Sequence, residues 1–182
     1  MAKILFVHGG GDDAYSSDKT MAERLEALLG PDETLDRPHF KPLEQLDWPG
    51  VTKEVGAALR ALPAGSIVVA HSLGASAAMK LLAEGVDPRL AHLFMLAAPY
   101  EGQDGEWPEE DFAFEEGFEA KLPKKLPITI CHSEDDEVMP VSHAHQYAAK
   151  LPKANLVIVD GYGHEFTGPL DFLAEAIRKA LR

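Results

Sequence analysis

One cysteine, Cys131, stands in the whole chain, so no intramolecular disulfide framework holds the fold and a reducing compartment is expected. No apolar run approaches the length of a membrane span. The opening Met1-Ala2-Lys3 and the short run Ile4 to Val7 lack the long apolar core and cleavage site of a secretory leader. A soluble, cytoplasmic protein is therefore expected. Basic residues are scarce. The 17 Lys and Arg face 30 Asp and Glu, for a formal net charge of −13; this excludes the basic footprint of a nucleic-acid binder and disfavours anionic membranes. Internal repeats, low-complexity tracts and Gly/Ser-rich linkers are also missing. The 182 residues are thus expected to form a single domain, residues 1–182, without a large second unit.

What is present is enough apolar material, 46% of residues, to build a continuous core. Apolar runs of strand length occur at Ile4 to Val7, Ser66 to Ala70, Leu93 to Ala97, Ile128 to Cys131 and Leu156 to Val159, with a further short strand expected near Glu33 to Leu35. They are unbroken rather than alternating, as expected of parallel strands covered on both faces. Helical spacing of apolar residues marks Lys19 to Leu29, Val51 to Leu62, Leu73 to Glu84, Val141 to Leu151 and Leu170 to Leu181. This alternation predicts an α/β fold: a three-layer sandwich with a mostly parallel sheet, helices on both faces and right-handed crossovers. In such sheets functional groups gather beyond the carboxyl ends of the strands.

Four of those ends carry matched chemistry. The run Ile67-Val68-Val69-Ala70-His71-Ser72-Leu73-Gly74-Ala75 sets Ser72 between an apolar strand and an alanine-rich helix, with small residues two positions either side. A sharp strand-to-helix turn needs those small neighbours, and it presents the serine oxygen beside the first helical N–H groups. The bland alternative is a serine N-cap. After the first strand, His8-Gly9-Gly10-Gly11-Asp12 allows close backbone approach to a ligand; no Gly-Lys-Ser/Thr follows to make it a phosphate loop. After the last strand, the glycine-flanked His164 in Gly161-Tyr162-Gly163-His164-Glu165-Phe166 is a candidate general base. Between them Ser133-Glu134-Asp135-Asp136-Glu137 supplies carboxylates, one of which is available to orient a histidine. His132, His143 and His145 near these acids raise the possibility of a metal. His143 and His145, however, are two apart on a helix and point to different sides, so no metal site is expected and both are read as surface histidines.

These pieces together, with Phe6-Val7-His8-Gly9-Gly10-Gly11, Ala70-His71-Ser72-Leu73-Gly74 and Ser133 to Pro140, resemble the α/β-hydrolase superfamily. Within it they are similar to the small serine hydrolases related to the retinoblastoma-binding serine hydrolase (YdeN-like). The resemblance implies a minimal α/β-hydrolase fold without a large cap domain and a Ser-His-Asp triad. In the family's acid loop the acid precedes a proline by four positions, which selects Asp136 and leaves Asp135 as a solvated or structural neighbour. It further implies an oxyanion hole from the backbone N–H of Leu73 and one of Gly9 or Gly10. Ala70 departs from the usual first glycine of the elbow.

The expected activity is hydrolysis of a small carboxylic ester or thioester through an acyl-enzyme on Ser72, with His164 as base, Asp136 as its orienting acid, and no cofactor. A haloalkane enzyme would carry aspartate at the elbow. The alternative is a hydrolase-fold protein acting mainly as a protein-binding module, docking a basic partner through the acidic, aromatic stretch Glu101 to Glu119. That stretch lies within a long connection at residues 100–127. There Trp107, Phe112, Phe114 and Phe118 are read either as a flap over the serine or as aromatics pinned to the core. His71 is read as lining the pocket or packing in the core.

Overall fold

The computed structural model describes residues 3–11, 13–100 and 112–182. Six strands form one sheet: β1 (Ile4–Val7), β2 (Leu35–Asp36), β3 (Ile67–His71), β4 (His92–Leu96), β5 (Ile128–Ser133) and β6 (Asn155–Val159). Their order is β2-β1-β3-β4-β5-β6 and every neighbouring pair is parallel. The helices are α1 (Ala14–Leu29), α2 (Trp48–Arg60), α3 (Ser72–Ala83), α4 (Phe118–Lys121), α5 (Ser142–Lys150) and α6 (Asp171–Ala180), with a 3₁₀ turn at Leu43–Gln45. This is the expected α/β architecture.

Side chains alternate across each strand, so the same apolar runs feed two cores. Ile4, Phe6, Ile67, Val69, Phe94 and Leu96 pack with Met21 and Leu25 of α1 and Leu173 and Ile177 of α6. Leu5, Val7, Val68, Ala70, Leu93 and Met95 face the other way, against Val51 and Val55 of α2, Ala77 and Leu81 of α3 and Tyr147 of α5. Helices on both faces explain why the strands read as unbroken apolar runs. Each fully buried Leu, Ile or Val contributes roughly 1.5–3 kcal/mol. α2 begins where Asp47 accepts a hydrogen bond from the Gly50 N–H at 2.9 Å, with Pro49 in the first turn.

Boundaries differ from expectation in places. α1 starts at Ala14, a turn and a half before the first expected residue, because Tyr15, Ser16 and Ser17 break the apolar spacing without breaking the helix. The short strand falls at Leu35–Asp36 instead of Glu33 to Leu35.

The chain passes from β1 to β2 on one side and then to β3 on the other. β1 and β3 therefore straddle the point where strand order reverses, and their carboxyl ends open a crevice there. Among the described residues, no helix is long and apolar enough to cross a membrane. The expected flap runs through residues 101–111, which lie outside the described residues, as does Trp107. Phe112, Phe114 and Phe118 are buried, with Phe112 edge-on to Trp48 and Phe114 stacked on Phe118.

Candidate active site

At the end of β3 the backbone turns through Ser72 with φ of +48°, a left-handed conformation that costs a non-glycine residue on the order of 1–3 kcal/mol. His71 keeps an extended conformation as the helix N-cap, so Ser72 is the first helical residue and not a capping serine. The turn is this tight because α3 lies against the end of β1. A Cβ on Gly74 would sit 2.2 Å from the His8 carbonyl oxygen and 2.9 Å from that of Val7. Only glycine allows the approach, which gives the second small position of the elbow its physical reason. The first, Ala70, is fully buried beneath the turn.

Ser72, His164 and Asp136 meet at the carboxyl ends of β3, β6 and β5. His164 Nδ1 lies 3.0 and 2.9 Å from the two carboxylate oxygens of Asp136, and its Nε2 lies 3.1 Å from Ser72 Oγ. A carboxylate only accepts, so Nδ1 carries the proton and Nε2 is left to accept from the serine hydroxyl. Asp136 Oδ1 also accepts from the N–H groups of Val138 at 2.9 Å and Met139 at 2.7 Å. Burial works to raise the Asp136 pKa. The contacts from His132, His164 and the Met139 N–H outweigh it and hold the group well below the usual carboxylate range. Asp136 is therefore ionised at neutral pH.

Asp135, its neighbour, faces the loop backbone. It accepts from the Ser133 hydroxyl and from the N–H groups of Gly161 and Gly163, both at 3.1 Å, while Ser133 Oγ accepts from the Tyr162 N–H at 3.1 Å. Asp135 is thus structural: it ties down the loop that carries His164.

The glycine loop comes within contact of the serine, for a Cβ on Gly9 would lie 3.0 Å from Ser72 Cβ. Of the two donors expected from this loop, that of Gly9 is already committed. The Gly9 N–H donates to Asp18 Oδ2 at 2.7 Å and is not free to bind an oxyanion. The Gly9 carbonyl accepts from His8 Nδ1 at 2.8 Å, and His8 Nε2 in turn accepts from the Phe40 N–H at 3.1 Å. Because the Gly9 carbonyl and the Gly10 N–H belong to one trans peptide, fixing the first also aims the second. The Gly11 N–H donates to Glu44 Oε2 at 2.8 Å. Among the described residues, nothing accepts from the Gly10 N–H. The Leu73 N–H lies in the first turn of α3, where no earlier helical carbonyl can reach it.

One histidine read from sequence sits elsewhere than expected. His143 is buried, not on the surface, with its Nδ1 accepting from the Tyr100 N–H at 2.8 Å; its helical face packs on the sheet. His145 is exposed. His132 is fully buried and donates from Nε2 to the Met139 carbonyl at 2.7 Å, beneath the acid loop. Among the described residues, no group of His, Cys, Asp and Glu is arranged to hold a metal ion. His71 packs inside, bound to Asp18. Asp18 was not singled out from sequence, yet it left a trace there: a charged residue heading the otherwise apolar stripe of Asp18, Met21, Ala22, Leu25 and Leu29 on α1.

Residues 16–166, a span that includes Ser72, Asp136 and His164, match a family model described as serine hydrolase. None of the curated proteins matches the sequence. Among solved structures, the chain is similar to the ydeN gene product of B. subtilis, with 18% identity over 99% of this chain and 98% of that one and a TM-score of 0.81. It is also similar to Est1E from Butyrivibrio proteoclasticus, solved with ferulic acid bound, at 18% identity over 98% and 87% of the two chains and a TM-score of 0.69. The esterase domain of a Rhodothermus marinus protein matches at 17% identity over 100% and 87%, again with a TM-score of 0.69. At these identities the likeness is one of fold.

Proposed function

The chain belongs to the serine hydrolase family, and from that premise we propose that it is an esterase-like enzyme hydrolysing a small carboxylic ester or thioester through an acyl-enzyme on Ser72. Ser72 Oγ attacks the carbonyl carbon as its proton passes to His164 Nε2, and the imidazolium so formed is held by Asp136. The carbonyl oxygen, now an oxyanion, takes the N–H groups of Leu73 and Gly10. Collapse breaks the bond to the leaving alcohol or thiol, which departs with the proton from His164. Water then loses a proton to His164 as its oxygen attacks the acyl carbon. Release of the acid returns the proton to Ser72. No cofactor enters these steps.

The observation that carries this function is the unbroken line of contacts from Ser72 Oγ through His164 to Asp136, at 3.1, 2.9 and 3.0 Å. Two neighbours of like fold, the esterase domain from Rhodothermus marinus and the ferulic-acid-bound Est1E, support a carboxylic ester as the substrate class. The formal charge of −13 favours neutral or cationic substrates over anionic ones. A role in docking a partner through exposed aromatics finds no support from Phe112, Phe114 and Phe118, which are buried.

Treatment with a fluorophosphonate probe, with mass spectrometry to locate the adduct, tests the mechanism. Adduct on Ser72 in the native protein and none in Ser72→Ala or His164→Ala is expected. Folded native protein that takes no adduct at Ser72 would overturn it.

A further inference from the structure

Beneath the Ser72–His164–Asp136 array lies a second acid and histidine, both buried and with no part in the proton transfers described above. Asp18 is 1% exposed and His71 is 2% exposed. His71 Nδ1 lies 2.7 Å from Asp18 Oδ1, and neither atom has another hydrogen-bond partner. His71 Nε2 lies 2.9 Å from the main-chain carbonyl oxygen of His164. Asp18 Oδ2, in turn, accepts the Gly9 N–H. Two side chains thus link three segments: the glycine loop after β1, the nucleophile strand β3 and the histidine loop after β6.

We propose that Asp18 and His71 form a buried couple that holds the oxyanion loop and the histidine loop in register with the nucleophile, which makes both of them positioning residues for the hydrolysis. This rests on the roles given above to Ser72 and His164. His71 directly precedes Ser72, so whatever fixes its ring fixes the start of the elbow. Its Nε2 proton pins the backbone of His164, whose imidazole must stay within 3.1 Å of Ser72 Oγ. Asp18 commits the Gly9 N–H, and the next donor along the loop, that of Gly10, remains for the oxyanion.

The couple also has a required charge state. One ring nitrogen of His71 faces a carboxylate and the other a carbonyl, and both of these only accept. Both nitrogens must therefore carry protons, making His71 an imidazolium against an ionised Asp18. Burial opposes this charge, but the Asp18 carboxylate, the His164 carbonyl and the nearby Glu165 outweigh it and push the His71 pKa up to about 9. The other groups around the pair are the His164 ring, 4.9 Å from that of His71 between centroids, the Phe166 ring at 6.5 Å, and His8, which faces Asp18 from the glycine loop. Losing either proton sets a lone pair against an acceptor, and one of the two tethers is released.

Nitrogen-15 NMR of the unmodified protein reads the charge state directly: His71 is expected to show two protonated ring nitrogens at neutral pH, and a neutral ring would overturn the couple. Asp18→Asn, His71→Gln and the combined variant are then assayed on p-nitrophenyl acetate and with the fluorophosphonate probe across a pH series. Each is expected to lower kcat by about tenfold to a hundredfold with KM little changed, the scale of loss that a misplacement of about 1 Å produces. Native activity should fall as pH rises through about 9, and that limb should vanish in His71→Gln. A purely structural pair would lower the melting temperature and leave kcat and its pH profile alone. Folded variants with native kcat, labelling rate and alkaline limb would refute the inference while leaving the triad standing. Native protein that takes no adduct on Ser72 would bring down the catalytic roles, and this inference with them.

Discussion

Substituting Gly74 by alanine adds one methyl group at the tightest contact of the elbow. That carbon would lie 2.2 Å from the His8 carbonyl oxygen, whereas carbon and oxygen do not approach closer than about 3 Å without steep repulsion. The end of β1 or the start of α3 must therefore retreat by about 0.8 Å, the shortfall between those two separations. Neither can move without carrying part of the site with it. α3 carries Ser72 and the Leu73 N–H, while the segment after β1 carries the Gly10 N–H, so the shift falls directly on the spacing between nucleophile and oxyanion donors. Overpacking of a dense core costs about 1–3 kcal/mol, and displacement of reacting groups by about 1 Å costs about 100-fold in rate. Gly74→Ala is thus expected to fold with a melting temperature lowered by several degrees and to lose about two orders of magnitude in kcat and in fluorophosphonate labelling. Thermal unfolding and steady-state hydrolysis of a p-nitrophenyl ester measure the two effects separately. A folded variant with native kcat would show that α3 and the β1 loop are not in contact at this point.

Asp136→Asn should leave Ser72 and His164 near one another but remove the acceptor that fixes the imidazole tautomer, lowering kcat by about four orders of magnitude if it follows other triads; a loss below tenfold would speak against its role. The pH dependence of stability has two limbs with opposite signs. Asp136 has its folded pKa depressed, so its contribution is complete above its unfolded value near 4 and fades as pH falls through the folded one. His71 has its folded pKa raised to about 9 from 6.5, so its contribution is complete below the unfolded value and is lost as pH rises through the folded one. That alkaline loss is of order 3 kcal/mol. Melting temperatures across the pH range should show both limbs, with the acid one flattened in Asp136→Asn and the alkaline one in His71→Gln. Cys131 is buried, and burial pushes its thiol up to about 12, so native protein should resist a thiol reagent that reacts in full after denaturation; prompt native labelling would contradict its placement.

The strands and the nucleophile were legible because each depends on local pattern. Unbroken runs such as Ile67 to Ala70 register burial on two faces, and small residues around Ser72 register a tight turn. What escaped was set by contacts distant in sequence. Whether Gly9 or Gly10 offers its N–H depends on Asp18, a turn into α1, and on how His8 turns the intervening peptide. His143 looked like a surface histidine because its helix is short and polar, yet its face of α5 lies on the sheet, where it meets the Tyr100 backbone. Asp18 hid for a related reason: a carboxylate among apolar helix positions declares that it has a buried partner but not which one. His71, adjacent to the nucleophile, offered two readings that only the position of α1 could separate.

Asp135 and Asp136 stand side by side yet grip different things, one a pair of glycine N–H groups and the other an imidazole. For protein engineering this defines the smallest portable cassette. A designer grafting the acid onto a new scaffold would have to carry Ser133, Asp135 and the Gly161-Tyr162-Gly163 bend along with Asp136, since an imidazole given its acid but not its anchored hinge would swing away from the hydroxyl it must deprotonate.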